Sequence, residues 1–475
     1  MYIDGQWISA EKGKMFDVFN PANGEKVGQV PDGTRGDAAK AIDVAINAFK
    51  AWSTLTAYQR SSYLFKAYQL MLERKEGLAR TMTTEQGKPL RAARNEVQYG
   101  ADFLLWFSEE AKRVYGETIP SARADQRFLV LYQPLGVVAA ITPWNYPISM
   151  ITRKVAPALA AGCTIVLKPS AETPLCAVEL FKVFHDAGIP AGVVNLVTAK
   201  DPKPIGQEFV ENRKVRKLTF TGSTEVGKLL ARGAADQIKR VSLELGGHAP
   251  FIVFDDTLPA HAARGVSLVK FLNTGQTCIS PNRVFVQRNI VAQFVEELRG
   301  RVSKMKAGSG FDDTVTIGPL VNAEALTKID RQVSDARDHG AAVITGGKRL
   351  IDNNLDKGYF YAPTVINNVT TQMQIFREET FGPVVPVIAF DSEEEVVAMA
   401  NDTNYGLASY VYTRDISRAM RVYESLEFAI VGINDINPTS AAAPFGGMKE
   451  SGLGREGARE GIEEYLETKL VGISV

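Results

Sequence analysis

The chain has 475 residues, which is more than one hydrophobic core organises, because single cores stop growing near about 250–300 residues. Its 54 lysine and arginine residues balance its 54 aspartate and glutamate residues, so the bulk charge gives no attraction to nucleic acid or to an anionic membrane surface. We therefore expect two large domains and no nucleic-acid partner.

The N-terminal residues lack the basic segment and following apolar run of a signal peptide, and no run of about 18 apolar residues indicates a membrane span. The three cysteines, Cys163, Cys176 and Cys278, are too few and too irregularly spaced for a disulfide framework or a zinc site. The four histidines form no metal-spaced pair. We expect a cytoplasmic protein without a membrane partner or a metal, in which one thiol can be reactive.

The N-terminal part of the chain is predicted to be rich in helix. In 37–49 and 57–75, apolar residues recur at three- and four-residue spacing, as in amphipathic helices. From residue 136 onward, short β-branched runs alternate with helical stretches; these runs are 136–142, 163–168, 192–198, 217–221 and 240–245. The alternation predicts right-handed βαβ units and a parallel sheet covered on both faces.

A second set of α/β elements is predicted after Phe251. It comprises a helix at 260–273, a strand at 283–287, a long helix reaching Arg331, and strands at 341–345 and 383–390. Two further strand-like segments, 126–133 and 467–475, lie outside this alternation. Short strands of this kind need a neighbour with which to pair.

Cys278 is the cysteine whose neighbours fit a reactive thiol. Thr, Gln, Ser, Pro and Asn surround it in the segment 273–283, and a thiolate nucleophile needs a polar, accessible pocket of that kind. Cys163 and Cys176 lie instead in a predicted strand and on a predicted helix face. The alternative interpretation of Cys278 is a buried structural cysteine like these two.

Glu244 interrupts an apolar run that otherwise resembles the end of a buried strand. A buried carboxylate is costly unless it is paired or functional, and burial raises its pKa towards the range of a general base. The alternative is a glutamate in a salt bridge at a strand end.

The segment 220–228 joins a predicted strand to a predicted helix, where main-chain amides can bind phosphate. It nearly matches a Walker A loop, but Leu229 occupies the position that needs Ser or Thr. It also lacks the complete glycine pattern of dinucleotide-binding folds. By itself this loop does not decide which nucleotide is bound.

Seven motifs together resemble those of the aldehyde dehydrogenase superfamily, in the order of that family. The matching segments are 142–147, 167–170, 220–223, 243–247, 275–278, 378–383 and 444–447. The step of 34 residues from Glu244 to Cys278 also matches. The resemblance extends over essentially the whole chain.

The resemblance implies an α/β fold with a Rossmann-like dinucleotide-binding domain, a second α/β catalytic domain and a small β oligomerisation element. We expect the cofactor-binding domain at 1–119 and 136–246, the catalytic domain at 247–447, and the oligomerisation element at 120–135 and 448–475. An isolated two-stranded element is marginal in water. We therefore expect pairing across subunits and a homodimer or homotetramer.

For the chemistry, the resemblance implies oxidation of an aldehyde substrate through a thioester on Cys278. Glu244 would be the base that activates the deacylating water. The side chain of Asn145 and the main-chain N–H of Cys278 would bind the oxyanion, which needs fixed donors as it forms.

The resemblance also implies a nicotinamide cofactor, NADP or NAD, which accepts hydride. Lys168 would hold the adenosine ribose, the turn at Gly222 the pyrophosphate, and Glu379 the nicotinamide ribose. The complete set of expected cofactor contacts is Trp144, Lys168, Ser170, Ala171, Gly222, Ser223, Leu245, Glu379 and Phe381.

The choice between NADP and NAD is expected to depend on Ala171. In NAD-preferring members a glutamate often lies three residues after the ribose-binding lysine, and here that position is Ala171, followed by Glu172. A carboxylate facing the 2′ position would repel a 2′-phosphate. Without it, Lys168 and the Ser170 hydroxyl can bind the phosphate by charge-assisted hydrogen bonds. We expect NADP to be accepted at least comparably to NAD.

Within the superfamily, segments 106–120, 150–154 and 451–457 most resemble succinate-semialdehyde dehydrogenases. That likeness implies that Arg153 and Ser440 bind the distal carboxylate of the substrate, although a helix-surface arginine is the alternative for Arg153. Two residues depart from the pattern. Leu272 replaces a second carboxylate-binding arginine, and Ser280 stands where some members carry a redox-switch cysteine.

Four alternatives remain open at this level. The substrate could be another aldehyde, such as 2-oxoglutarate semialdehyde or an aliphatic or aromatic aldehyde. An acyl-CoA-forming enzyme is opposed by Glu244, which such relatives generally lack. A nucleoside-triphosphate-binding protein is opposed by Leu229. An inactive structural protein would require Cys278 or Glu244 to have no role.

Overall fold

Two large β-sheets and a small one organise the computed structural model, which describes residues 1–475. The strands, numbered in chain order, are β1 (Tyr2–Ile3), β2 (Gln6–Trp7), β3 (Met15–Phe19), β4 (Lys26–Pro31), β5 (Glu117–Ile119), β6 (Gln126–Pro134), β7 (Val137–Ile141), β8 (Thr164–Lys168), β9 (Val194–Leu196), β10 (Val215–Thr221), β11 (Arg240–Glu244), β12 (Ala249–Val253), β13 (Pro281–Gln287), β14 (Ala342–Thr345), β15 (Thr364–Asn367), β16 (Val384–Phe390), β17 (Tyr405–Gly406), β18 (Ala408–Tyr412), β19 (Ile430–Ile433), β20 (Met448–Lys449), β21 (Gly452–Leu453) and β22 (Leu466–Ser474).

The helices, numbered in the same way, are α1 (Arg35–Trp52), α2 (Ala57–Glu73), α3 (Lys75–Gln86), α4 (Leu90–Glu110), α5 (Ser149–Ala161), α6 (Pro174–Asp186), α7 (Lys203–Glu211), α8 (Thr224–Ala235), α9 (Pro259–Lys270), α10 (Val291–Val302), α11 (Ala323–Asp338), α12 (Gln374–Arg377), α13 (Glu393–Asn401), α14 (Ile416–Ser425) and α15 (Glu460–Glu463). None of them is both long enough and apolar enough to cross a lipid bilayer.

The first sheet has the order β2-β1-β9-β8-β7-β10-β11-β21. Its five central strands have the order β9-β8-β7-β10-β11 and are parallel, as the alternation of apolar runs and helices predicted. Successive side chains of a strand point to opposite faces. In β7, Val138 and Ala140 join one apolar core while Val137 and Ala139 join another, so helices cover both faces.

The second sheet has the order β14-β15-β16-β13-β12-β18-β19. All its pairs are parallel except β14 with β15. In β12, Phe251 and Val253 lie in one apolar core and Ile252 in the other. This sheet is therefore also buried on both faces, and its strands read as continuous apolar runs for that reason.

The predicted long helix reaching Arg331 is wrong. The structure has two helices there, α10 and α11, separated by residues 303–322. The intervening segment packs against the α3–α4 turn, where Leu90 N donates to Gly310 O at 2.9 Å. A Cβ atom at Gly310 would lie 2.6 Å from Lys88 O, so a side chain at this position would collide with the turn.

The small sheet has the order β22-β6-β5 and is antiparallel. Residues Leu466 to Ser474 pair without interruption with Pro134 to Gln126. The two strand-like segments therefore pair with each other inside one chain, whereas the sequence favoured pairing between subunits. The sequence could not show this, because the pairing partners are separated by more than 300 residues.

Three segments fall on different sheets from those that the expected domain limits suggest. β20 lies within 448–475 but pairs with β17 of the expected catalytic domain. β5 lies within 1–119 but pairs with β6 of the small sheet. β21 lies within 448–475 but pairs with β11 of the first sheet, and Ile462 and Tyr465 belong to a core of that same sheet. Elsewhere the domain limits stay a prediction.

Candidate active site

The loop that carries Cys278 begins with three consecutive residues in the left-handed region. They are Asn273 (φ 49°), Thr274 (φ 60°) and Gly275 (φ 76°). Such a conformation costs a non-glycine residue about 1–2 kcal/mol and persists where the surroundings over-determine it. Thr274 Oγ1 donates to Gly318 O at 3.1 Å. A Cβ atom at Gly275 would lie 2.2 Å from Gly382 O, so only glycine fits there.

Cys278 itself is half-buried, whereas the other two cysteines are buried, and all three are free thiols. Burial raises the pKa of the Cys278 thiol to about 12, although the guanidinium of Arg153 opposes that effect. Its main-chain N–H finds no main-chain acceptor within the chain. This N–H is therefore available to a group that approaches the sulfur.

Asn145 lies in the loop between β7 and α5, beside the Cys278 loop. Its Nδ2 donates to Gln276 O at 3.1 Å, and its Oδ1 is buried without a partner. An amide nitrogen has two hydrogens, so one remains free beside Cys278. The main-chain carbonyl of Asn145 accepts from Lys88 Nζ at 2.7 Å and from Asn273 Nδ2 at 2.9 Å.

Glu244 is the last residue of β11 and is 4% exposed. Its Oε2 is buried without a hydrogen-bond partner. Burial raises the pKa of this carboxyl well above its usual value, and the nearby Glu456 raises it further. Just beyond the strand, a Cβ atom at Gly247 would lie 2.2 Å from Cys278 O. The lack of a side chain at Gly247 brings the end of β11 against the Cys278 loop.

A buried cluster of charge lies behind these two residues. Arg153 Nε contacts Glu456 Oε2 at 2.8 Å, and Lys154 Nζ contacts Glu456 Oε1 at 2.5 Å. Lys154 also donates to Thr219 Oγ1 at 3.0 Å. The Arg153 guanidinium lies over the ring of Phe445 at 4.0 Å, and its Nη2 has no hydrogen-bond partner. Although burial opposes it, the two cations hold the pKa of Glu456 below its usual value.

Lys168, the last residue of β8, is 3% exposed. Burial lowers the pKa of its ammonium group to about 8, and Asp201 is the charge that opposes this. Glu172, the first carboxylate after Lys168 along the chain, accepts through Oε1 from Asn322 Nδ2 of the α11 N-cap at 3.2 Å. Ala171 packs against the β3–β4 hairpin.

The β10–α8 turn brings Gly222 and Ser223 to the N-terminus of α8. Gly222 N donates to Glu244 O at 3.0 Å, and Ser223 is the N-cap, with its Oγ accepting from Val226 N at 3.4 Å. A Cβ atom at Gly227 would lie 2.4 Å from the Leu245 side chain, so the absence of one lets α8 pack closely on that residue. A helix N-terminus favours a phosphate group.

The second sheet contributes the opposite wall of the same cleft. Glu379 Oε1 accepts from Gly247 N at 2.9 Å, and burial raises the pKa of this carboxyl. Phe381, in the left-handed region at φ 55°, packs edge-to-face on Trp144 with 5.6 Å between ring centroids. A desolvated lysine, the N-terminus of α8 and this aromatic wall together fit a dinucleotide cofactor.

Comparison with known proteins agrees with this geometry. The aldehyde dehydrogenase family model matches residues 7–471. The chain belongs to the aldehyde dehydrogenase family. It is 50% identical over 474 residues to the glutarate-semialdehyde dehydrogenase of Pseudomonas putida, covering 100% of this chain and 97% of that protein. It is also 50% identical over 473 residues to the NADP(+) succinate-semialdehyde dehydrogenase of Escherichia coli, covering 100% and 97%.

A solved structure gives the same result for the fold. The crystal structure of an NADP-dependent enzyme of E. coli matches with a TM-score of 0.98 at 49% identity, covering 100% of this chain and 98% of that chain. The family membership inferred from the seven motifs and the predicted α/β fold class are both confirmed.

The residues predicted to contact the substrate of this aldehyde dehydrogenase differ in their exposure. Arg153 is 2% exposed, so the alternative of a helix-surface arginine is wrong. Ser440 is exposed, and its carbonyl accepts from Ala443 N at 3.2 Å; it forms no hydrogen bond with Arg153. Leu272 is exposed, and Ser280 is fully buried with an Oγ that has no partner.

Sequence reasoning missed Lys154 and Glu456. Lys154 and Glu456 are 302 residues apart, so no local pattern joins them. One signal was present, since Arg153 and Lys154 are adjacent cations in a helix whose other residues are mostly apolar. Two buried cations need a carboxylate partner, but the sequence does not say which one.

Proposed function

We propose that this dehydrogenase oxidises an aldehyde with a distal carboxylate, such as succinate semialdehyde, to the carboxylic acid through a thioester on Cys278. The observation that carries the proposal is the buried guanidinium of Arg153, whose Nη2 has no partner and which lies close enough to Cys278 to lower the pKa of its thiol. The charge of this guanidinium is paired with Glu456, but a buried N–H donor without an acceptor is costly, and a substrate carboxylate would supply the missing acceptor. The two relatives at 50% identity are named for semialdehydes of this class.

In this proposal the Cys278 sulfur adds to the carbonyl carbon, and negative charge develops on the carbonyl oxygen. The free hydrogen on Asn145 Nδ2 and the main-chain N–H of Cys278 stabilise that charge. Donors fixed in place before the reaction are worth far more in a water-poor site than in water. The half-buried position of Cys278 and the buried Asn145 support this arrangement.

The nicotinamide cofactor supplies the hydride acceptor when it is bound. We propose that Lys168 and Ser170 hold its adenosine ribose, Gly222 and Ser223 its pyrophosphate, and Glu379 its nicotinamide ribose. Trp144, Leu245 and Phe381 would form the apolar walls of the cleft.

Glu244 is the proposed base for hydrolysis of the thioester. Its carboxylate has an oxygen without a partner, and its raised pKa makes it a stronger base than an exposed glutamate. The presence of this base favours water over coenzyme A as the acyl acceptor.

A panel of aldehydes tests the proposed substrate class. Succinate semialdehyde, 2-oxoglutarate semialdehyde, butanal and an aromatic aldehyde should be assayed with each nicotinamide cofactor. We expect the highest kcat/KM for the aldehydes with a carboxylate. Arg153→Met should lower kcat/KM for succinate semialdehyde by about 30-fold or more, since removing one partner of a buried charge pair costs about 2–5 kcal/mol. Butanal, which has the same carbon chain without the charge, should lose much less.

Two outcomes of this panel would contradict different parts of the proposal. Equal losses for butanal and succinate semialdehyde in Arg153→Met would remove Arg153 from carboxylate binding. No turnover of any aldehyde with either cofactor would refute dehydrogenase activity itself.

We further propose that NADP is used at least comparably to NAD. Ala171→Glu should shift the preference towards NAD by about tenfold or more, because a carboxylate near the 2′ position repels the 2′-phosphate. Ala171→Gln is the matched control, since it has the same size without the charge and tests the packing against the β3–β4 hairpin. The measurement is kcat/KM for both cofactors. A wild-type preference for NAD of about 100-fold (2.7 kcal/mol) would contradict the proposal.

We propose that the small sheet mediates assembly into a homodimer or homotetramer. Leu131, Leu470 and Ile473 of this sheet are 41%, 63% and 41% exposed, and β5 and β22 are its open edges. Deletion of residues 470–475 should lower the oligomer size or the solubility. Sedimentation velocity measures this, and a wild-type protein that sediments as a stable monomer would refute it.

We also propose that the protein acts in the cytoplasm. Its three cysteines are free thiols, and reducing compartments keep thiols in that form.

A further inference from the structure

A network of buried polar side chains surrounds the main chain of Asn145. Lys88, between α3 and α4, is 2% exposed. Its Nζ donates to Asn145 O at 2.7 Å and forms an ion pair with Glu96. The same ammonium group lies over the ring of Tyr146 at 4.2 Å. Lys88 therefore contacts two successive residues of the loop that carries the proposed oxyanion donor.

Glu96 extends this contact to the other end of the loop. Its Oε1 accepts from Ile148 N at 3.0 Å and from Ser149 N at 3.3 Å, at the start of α5. The helix has no N-cap side chain of its own, and a carboxylate at a helix N-terminus is a favourable substitute. One buried ion pair thus holds both Asn145 and the first turn of α5.

Asn273 joins the same loop to the Cys278 loop. Its Nδ2 donates to Asn145 O at 2.9 Å and to Gln276 O at 3.2 Å. Asn145 Nδ2 donates to that same carbonyl of Gln276. Gln86 Nε2 in turn donates to Asn273 Oδ1 at 3.1 Å. The side-chain amide of Asn273 therefore bridges Asn145, the proposed oxyanion donor, and Gln276, which precedes the proposed nucleophile Cys278 by two residues.

We propose that Lys88, Glu96 and Asn273 are positioning residues that aim the Asn145 amide at the carbonyl oxygen of a substrate bound at Cys278. This inference rests on the proposed function. A buried ion pair by itself adds little stability compared with apolar residues of the same size, so a gain in fold stability is a weak explanation for this one. Accurate placement of the Asn145 amide is a strong explanation, because a displacement of about 1 Å in a reacting group can cost about 100-fold in rate.

A double-mutant cycle tests the proposal. Lys88→Met/Glu96→Gln removes both charges together, so that no buried charge is left unpaired. We expect it to lower the rate of the burst of reduced cofactor about 10- to 100-fold, with KM for aldehyde and cofactor changed less than about threefold. Asn145→Ala alone should cost about 10²- to 10³-fold. When the two changes are combined, the loss should be close to that of Asn145→Ala, because residues that act through one group are not additive.

Lys239→Met is the matched control, since Lys239 is also buried and donates to two main-chain carbonyls, of Asn212 at 2.6 Å and Val215 at 2.9 Å. It should lower the thermal midpoint without changing the burst rate of the folded enzyme. If Lys88→Met/Glu96→Gln does not fold, Asn273→Ala removes the other side-chain hydrogen bond to Asn145 O without touching a charge. It should show the same non-additivity with Asn145→Ala.

The possible failures are distinguishable. Losses that multiply in full when the Lys88 and Glu96 changes are added to Asn145→Ala would overturn the positioning role and leave the proposed function intact. A wild-type burst rate in Asn145→Ala would overturn the oxyanion assignment and the positioning role together.

Discussion

Cys278→Ala is expected to abolish dehydrogenase turnover while the affinity for the nicotinamide cofactor stays close to that of the wild type. The thiol is the group that would bond to the substrate, and no other free thiol is exposed, since Cys163 and Cys176 are both buried. The proposed phosphate and ribose contacts lie on β8 and α8 and do not involve the sulfur. Steady-state assays and cofactor titration by fluorescence quenching measure the two quantities separately.

Cys163→Ala is the matched control for this experiment. That thiol is fully buried, and its Sγ donates to Tyr465 O at 3.4 Å, so its loss should affect stability and not turnover. Activity above a few per cent of wild type in Cys278→Ala would remove the sulfur from the mechanism.

Glu244→Gln should separate the two half-reactions. We expect a burst of reduced cofactor to persist while steady turnover falls by about 10²- to 10⁴-fold, the usual contribution of a general base. Glutamine has nearly the same size as glutamate, so the packing around β11 should survive. Stopped-flow absorbance resolves the burst from the steady state. An unchanged steady state would eliminate Glu244 as the base.

The same residue predicts the pH dependence of turnover. A base must be deprotonated to act, and burial raises the pKa of Glu244 well above its usual value. As the pH falls through that raised pKa, the carboxylate is protonated and steady turnover is lost, at a higher pH than for an exposed glutamate. Glu208→Gln is the control, because Glu208 is also buried but lies on α7, where it pairs with Arg35, and its loss should leave the pH profile unchanged.

Several features could be predicted from local sequence. The strands β7, β8, β10 and β11 appear as apolar runs because both faces of a parallel sheet are buried. The helices α1 and α2 appear as periodic apolar stripes.

The two principal site residues could be predicted for a related reason. Glu244 is a carboxylate inside an apolar run, and Cys278 is a thiol inside a polar one. In each case a residue whose polarity differs from that of its neighbours is a candidate for a function, and the family resemblance implied which function. The turn at Gly222 could also be predicted from neighbouring residues, since a strand followed by a helix places main-chain amides at one point.

Other features depended on which distant segments meet. The contact of the segment between α10 and α11 with the α3–α4 turn is one of these, although Gly308, Gly310 and Pro319 mark the break between the helices locally. The pairing of β22 with β6 joins the C-terminus to residues 126–134. The role of Ser440 in binding the substrate carboxylate stays a prediction, and its side chain is exposed.

The sequence by itself determined the α/β fold class and the strand–turn–helix at Gly222, because both depend on the periodicity of neighbouring residues. The polarity of their neighbours made Cys278 and Glu244 candidates, and the family resemblance implied their proposed roles as nucleophile and base. Only the tertiary structure decided that Glu456 pairs with Arg153 and Lys154, that Glu172 is held by Asn322, and that Lys88 and Asn273 hold Asn145. These contacts join residues up to 303 positions apart. A buried charge requires a partner, but sheet order and helix packing decide which residue lies within reach.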